Sequence, residues 1–446
     1  MEPSFLPRQK LKVPPRLRSV RRSTQLRNAD GRSSTARQLD CKMHHFVNCI
    51  TGINTADTTR QARYNNMSTL DSKALAAIRD RAVVTLGEIE AKSACASEKE
   101  TPCSWVRGGA GDDKCLDEAS TARCRFFNRN GFVHIPGFAS ESETLAMKKQ
   151  MKDLAEVWDP ASKTSVFRTD EGQTKAQGSD DYFLSSASKV HFFAEKDATN
   201  EDGSLKSEFA GNKLAALNKA GHAMHIIPGA FRNYTTSTKV KDLVRELGWK
   251  DPVVPQSMYI FKQAKVGGEV TSHQDSTFLF TEPRQTCLGL WLALDDSTLE
   301  NGCLWVRPAS HRETVRRKFV RNPAHFGVES IEKRSNKALG DTSQPQMIFE
   351  ELVDDYAETI PWEGKLPEGS LPHCEGLFKN GFVPVECKAG DLLAFCGEID
   401  HLSLPNYSEH QRHTFQLHLV DGPGAGITWA KSNWLQYPEG EEFLRI

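Results

Sequence analysis

The chain has 446 residues, with 57 Lys and Arg against 58 Asp and Glu, and a formal net charge of −1. Such a length holds roughly two or three average domains or one elaborated barrel, and the near-neutral balance gives no reason to expect nucleic acid or a membrane surface as an obligatory partner. No apolar run approaches the length of a transmembrane helix, and the 11 cysteines, odd in number and without a Cys-x-x-Cys pair, read as reduced thiols.

Residues 1–66 open the chain. The run "RQKLKVPPRLRSVRRSTQLR" is rich in Arg, nearly free of acids and lacks an apolar period. It reads as a disordered extension or a targeting segment, with Met67 as an alternative working start. The expected location is cytoplasmic, with mitochondrial targeting as the alternative, although Pro14 and Pro15 oppose the amphipathic helix of a transit peptide. Residues 67–121 form a second region, a helix over "LDSKALAAIRDRAVVTLGEIEAK" followed by a polar loop. Cys95, Cys103, Cys115 and Cys124 cluster around that loop at spacings unlike those of a zinc ribbon or finger.

From residue 122 the pattern tightens. "FFNRNGFVHIPGFAS" alternates as a strand, and Ser140 with Glu143 makes a capping box ahead of a helix over "TLAMKKQMKDLAEVW". A further helix is expected over "KLAALNKAGHAM". The second half then changes character. "VVPQSMYIFKQ", "TCLGLWLALDD", "CLWVRP", "DLLAFCGE" and "RHTFQLHLV" are short strands separated by Gly, Asn, Asp and Pro, the spacing of a sandwich or jelly roll. An insertion at about 312–372 interrupts them, basic in its first part and acidic in its second. Residues 122–430 are thus the main domain and 431–446 a C-terminal tail.

The segment "GGEVTSHQDSTFLF" places His273 and Asp275 two apart at a strand end, where alternation aims both side chains at one point. Two other His-x-Glu pairs, His311/Glu313 and His373/Glu375, lie in loop-like sequence. A metal held by His273 and Asp275 needs a third ligand, and His401 in "GEIDHLS" follows an apolar strand that would return it to the barrel mouth. Two His and one carboxylate is the donor set of non-haem Fe(II) oxygenases. Arg412 follows, on a strand whose alternation puts Arg412, Thr414, Gln416 and His418 on one face and His413, Phe415, Leu417 and Leu419 on the other. Its planar guanidinium suits a carboxylate. In "TCLGLWLALDD", Leu288, Leu290, Leu292 and Leu294 share one face, while Trp291 lies among Cys287, Gly289 and Ala293 on the other, as a pocket wall would.

With these residues in place, the run "PVVPQSMYIFKQ…GGEV…HQDSTFLFTEP…LGLWLALDDSTLENGCLWVRPASHR", with "GEIDHLS" and Arg412 downstream, resembles the phytanoyl-CoA dioxygenase family over roughly residues 122–425. The resemblance implies a mainly β fold with flanking helices around a double-stranded β-helix core, of the jelly-roll or cupin-like kind. It also implies dependence on Fe(II), 2-oxoglutarate and O2. The iron ligands it implies are His273, Asp275 and His401, and the 2-oxoglutarate contacts are Lys219, Met258, Trp291, Ser403 and Arg412, with Gln274 as a further candidate. The expected reaction is hydroxylation coupled to decarboxylation of 2-oxoglutarate to succinate and CO2, because related halogenases lack the carboxylate ligand.

The substrate stays open among an acyl-CoA, a nucleoside or another metabolite. A branched acyl-CoA 2-hydroxylase, a non-catalytic 2-oxoglutarate-binding protein and a metal-dependent hydrolase or isomerase are the alternatives. Arg316, Arg317, Lys318 and Arg321 could hold coenzyme A phosphates, with a solvated charged face as the competing reading. The ending "LRI" is not a peroxisomal signal.

Overall fold

The computed structural model describes residues 72–94, 118–160, 165–166, 180–200, 202, 204–370 and 374–446. The expectations for residues 1–66, for Cys95, Cys103 and Cys115, and for the ligand pair containing His373 lie outside the described residues. The described residues contain seventeen strands. They begin with β1 (Phe132–Ile135), β2 (Ser165–Val166), β3 (Val190–Ala194), β4 (Leu217–His222), β5 (Pro252–Ile260) and β6 (Val270–His273). Next come β7 (Thr281–Glu282), β8 (Leu288–Ala293), β9 (Leu304–Val306), β10 (Arg317–Arg321), β11 (Met347–Glu351) and β12 (Val383–Val385). The last are β13 (Leu392–Cys396), β14 (His401–Ser403), β15 (Thr414–Asp421), β16 (Thr428–Trp429) and β17 (Leu444–Arg445).

A major sheet runs β1-β13-β8-β15-β5-β4-β3-β2, with β17 also on β5, and a minor sheet runs β12-β9-β14-β6. The eight strands β5, β6, β8, β9, β12, β13, β14 and β15 are divided four and four between the two sheets, which is the double-stranded β-helix. Trp291, Ala293, Leu393 and Phe395 of the major sheet pack with Leu304, Val306, Val383 and Val385 of the minor sheet in one cluster. The other face of the major sheet carries Leu288, Leu290, Leu292, Phe415, Leu417 and Leu419, packed with Met147 and Met151 of the helix Glu141–Glu156 and with Phe231 and Leu243. Alternation of large apolar residues on β8 and β15 therefore sorts the two cores, as strand geometry requires. On the far side of the minor sheet, Trp305, Leu402 and Leu404 pack with Ile78 of the helix Ser72–Ala94.

The capping box forms as expected: Ser140 Oγ accepts from Glu143 N and the Glu143 carboxylate accepts from Ser140 N. Three expectations change. Residues 126–130, read as part of a strand, end the helix Glu118–Asn130, and the strand begins at Phe132. The segment 213–224, expected to be helical, is a short 3-10 turn (Lys213–Ala216) followed by β4. Its pairing on both edges, with β3 and β5, overrides a helical period that Gly221 already weakens. The C-terminal tail is part of the core, since β17 pairs with β5 and Trp434, Leu435 and Tyr437 are buried.

The insertion builds the hairpin β10/β11 and returns against β6, where Gly364 N–H donates to Ser272 O at 2.8 Å and Ser272 N–H donates to Lys365 O at 3.2 Å. Its basic run is largely taken up by internal contacts, although Arg317 also lines the cavity described below. Arg316 and Arg321 are buried, Arg317 lies 4.0 Å over the Phe349 ring and Lys318 lies 4.5 Å over Phe280.

Candidate active site

Strand β6 ends at His273, and Gln274 keeps an extended backbone (φ −109°, ψ 128°) before Asp275 starts a 3-10 turn. Alternation thus survives just long enough to bring His273 and Asp275 to the same side. The neighbouring β14 places His401 directly opposite His273 in the ladder. His273 Nε2 lies 3.5 Å from Asp275 Oδ1, His401 Nε2 lies 3.8 Å from the same oxygen, and the two rings are 4.3 Å apart.

The orientation of both imidazoles follows from their other nitrogens. His273 Nδ1 is 2.8 Å from Thr271 O and His401 Nδ1 is 3.2 Å from Ile399 O. A carbonyl can only accept, so each Nδ1 carries a proton and Nε2 is the nitrogen that can turn a lone pair to a metal beside Asp275 once it holds no proton of its own. One donor atom from each of the three residues lies within 4.8 Å of the other two. Two neutral imidazole nitrogens and a carboxylate fit Fe(II).

Burial opposes charge on His273, but the hydrogen bond and charge of Asp275 outweigh it and raise its pKa. His401 is pushed down to about 4 by burial and by positive His273. Burial works to raise Asp275, yet the neighbouring imidazoles of His418 and His401 and the hydrogen bonds from His273 and His418 hold it well below the usual carboxylate range. His418 Nε2 lies 3.1 Å from Asp275 Oδ2, so it fixes the oxygen that the other two histidines do not approach. The sequence placed His418 on the polar face of its strand without giving it this task.

These groups open into a cavity of about 520 Å³. Lys219, Met258, Trp291, Ser403 and Arg412 all line it, as do Gln416 and His418. Arg412 is buried, lies 5.3 Å over the Trp291 ring and donates from Nη1 to Gly302 O at 3.0 Å. Lys219 donates to His222 Nε2 at 3.0 Å, and burial holds its pKa well below the usual lysine range. Gln274 does not face the cavity. Its Nε2 donates to Glu398 O at 2.8 Å and its Oε1 accepts from Arg316 N at 3.2 Å, because alternation turns it away from its two neighbours.

The outer wall was not visible in the sequence. Phe319, Phe349, Tyr356 and Ile360 of the insertion line it, together with Phe278, Phe183 and Trp434. The rival pair sits elsewhere: His311 Nε2 bonds Asn128 O at 3.2 Å, and Glu313 pairs with Arg307. A second close group, His134, Cys387 and Asp391, lies outside the cavity. There the Asp391 carboxylate already accepts from Gly137 N and Lys388 N and bonds His134.

A double-stranded β-helix carrying this donor set at the inner end of a cavity defines a 2-oxoglutarate-dependent non-haem iron dioxygenase. The family model for phytanoyl-CoA dioxygenase (PhyH) matches residues 127–414. Phytanoyl-CoA dioxygenase of Arabidopsis thaliana is 37% identical over 321 residues, which is 72% of this chain and 95% of that protein. Phytanoyl-CoA dioxygenase domain-containing protein 1 of Mus musculus is 39% identical over 319 residues, 71% of this chain and 94% of the other. The chain belongs to the phytanoyl-CoA dioxygenase family. Among solved structures, the epimerase SnoN in complex with Fe3+, alpha ketoglutarate and nogalamycin RO is similar at 14% identity and a TM-score of 0.41, covering 71% of this chain and 88% of that one. A likeness of that degree decides nothing about substrate.

Proposed function

We propose that the protein is a hydroxylase of a small molecule with an apolar part, using His273, Asp275 and His401 to hold Fe(II). The observation that carries this reading is the convergence of His273 Nε2, His401 Nε2 and Asp275 Oδ1 in a cavity that also contains a buried Arg without a carboxylate partner among the described residues. Iron bound there supplies activation of O2 coupled to oxidative decarboxylation of 2-oxoglutarate. The balance is simple: 2-oxoglutarate, O2 and R–H give succinate, CO2 and R–OH.

The chain's own residues do the rest. Thr271 O and Ile399 O keep the two Nε2 lone pairs turned inward, and His418 holds the free oxygen of Asp275. Arg412 and Ser403 grip the distal carboxylate of 2-oxoglutarate, while Trp291 and Met258 form its apolar walls. Lys219, held by His222, offers a further polar contact. The aromatic wall from Phe278, Phe319 and Phe349, whose rings lie 5.0–6.2 Å apart, takes the apolar part of the substrate and excludes water from the reacting carbon. Of the basic run only Arg317 lines the cavity, and it is stacked on Phe349, so no cluster of cations there favours a coenzyme A thioester.

Release of labelled CO2 from 2-oxoglutarate by purified protein with Fe(II) tests the chemistry. Comparing metabolite extracts treated with wild type and with Asp275→Ala then tests the small-molecule reading. Absence of Fe(II)-dependent CO2 release would refute it.

A further inference from the structure

We propose that Lys262 is a second cationic anchor for the distal carboxylate of 2-oxoglutarate, beside Arg412; the inference rests on the function proposed above. Lys262 lies just beyond β5, is buried and lines the cavity. Its Nζ donates to Ser403 Oγ at 2.9 Å and to Gly268 O at 2.9 Å. An ammonium has three donors and can only donate, so one N–H is left over and Ser403 must be the acceptor of that contact. The hydroxyl proton of Ser403 then has no acceptor among the described residues.

Arg412 is in the same condition. Nη1 donates to Gly302 O, its buried Nε has no partner, and no carboxylate lies within ion-pair distance of it or of Lys262 among the described residues. Two buried basic groups and a hydroxyl therefore converge with no anion in contact among the described residues, whereas buried charges are ordinarily paired. A dianionic ligand with a carboxylate at that end supplies the missing charge. The lysine stem is also held in place. A Cβ added at Gly267 would lie 2.8 Å from Lys262 Cγ, and one at Gly302 would lie 2.5 Å from its Cε. Gly302 thus leaves room for Lys262 and lends its carbonyl to Arg412.

The groups acting electrically on Lys262 are few. Burial and the charge of Arg412 push its pKa down to about 7, while Glu195, Glu269 and the Cys303 thiol work in the opposite direction. Binding a carboxylate favours the charged amine, so in the free protein the competent form is lost as pH rises through about 7. Affinity for 2-oxoglutarate should then fall, approaching about tenfold per pH unit.

The test is equilibrium dialysis of labelled 2-oxoglutarate against the full chain loaded with Fe(II) under argon. Lys262→Met should raise the dissociation constant by at least about tenfold. It should also abolish the loss of affinity between pH 7 and 9 and leave the Fe(II) dissociation constant unchanged. For 2-oxobutanoate, which lacks the distal carboxylate, the same substitution should cost nothing. Unchanged 2-oxoglutarate binding, or an equal loss for both acids, overturns the role of Lys262 alone. Failure of wild type to bind 2-oxoglutarate overturns the proposed function as well. If Lys262→Met does not fold, Lys262→Gln, which keeps a polar end without the charge, decides, because an unchanged preference for 2-oxoglutarate over 2-oxobutanoate refutes the proposal.

Discussion

Replacing Arg316 by Met should weaken iron binding although Arg316 touches no metal ligand. Its guanidinium is buried and bonded to Asp400 and Glu363, both almost completely inaccessible, and also lies 3.4 Å from Glu313. Asp400 immediately precedes His401, and its N–H donates to Ser310 Oγ at 2.9 Å. The backbone N–H of Arg316 bonds the Gln274 side chain, whose other end bonds Glu398 O. One insertion residue thus ties together the turns that carry Asp275 and His401. Removing one member of a buried ion cluster costs about 3–5 kcal/mol. Arg307 remains on Asp400 and Arg317 near Glu363, so the low end of that range, about 3 kcal/mol, is expected here. Loss of a group that orients a ligand typically weakens metal affinity by about 10–100-fold. Thermal unfolding measures the first effect, and the Fe(II) dissociation constant measured anaerobically gives the second. Adding Glu363→Gln should recover part of the stability, since it removes a buried charge left with Arg317 as its remaining partner. Wild-type Fe(II) affinity in a folded Arg316→Met protein would show that the cluster holds the insertion and not His401.

Four further outcomes follow from the same geometry. His273→Ala, Asp275→Ala and His401→Ala should each abolish Fe(II)-dependent CO2 release, whereas His311→Ala should retain it; the reverse pattern would move the site. Arg412→Leu should raise the 2-oxoglutarate requirement at least about tenfold, read as the concentration for half-maximal CO2 release. His418→Phe should lower Fe(II) affinity by about 10–100-fold through release of Asp275 Oδ2, measured by dialysis. A chain beginning at Met67 should keep its melting temperature and CO2 release, because residues 1–66 lack the apolar period needed to offset chain entropy.

Much of the barrel was legible because β8 and β15 alternate strictly. Their Leu and Phe residues mark one core, and Trp291, Gln416 and His418 mark the cavity side. The metal triad was legible for the same reason, helped by the extended backbone at Gln274. What failed was the reading of charge. Arg316 and Arg321 sit in a run that looks solvated, and only tertiary contacts reveal Asp400, Glu363 and the backbone carbonyls that receive them. Lys219 shows the converse: its segment has a helical period, but pairing on both edges makes it a strand. Alternation reports which face a residue occupies, not which distant carboxylate meets it. For that reason nothing in the sequence of the insertion announces that Gly364, Lys365 and Arg316 connect it to β6 and to the turn before His401.

A small residue behind the site shows how closely packing and metal binding are joined. Gly289 on β8 faces Phe395 of β13 across the ladder. A Cβ there would lie 2.6 Å from Phe395 Cε2, a distance at which something must move. The Phe395 ring in turn lies 4.7 Å from the His401 ring. Gly289→Ala should therefore push the phenyl toward the imidazole. The overpacking costs about 1–3 kcal/mol, and the displaced His401 should bind Fe(II) more weakly in proportion to the shift. Phe395→Leu in the same chain removes the atoms that clash, so the double variant should recover Fe(II) affinity relative to Gly289→Ala alone. Recovery in the double variant separates this route from a general loosening of β8, which Phe395→Leu would worsen. If Gly289→Ala leaves both melting temperature and Fe(II) affinity unchanged, the phenyl has room elsewhere and does not set the position of His401.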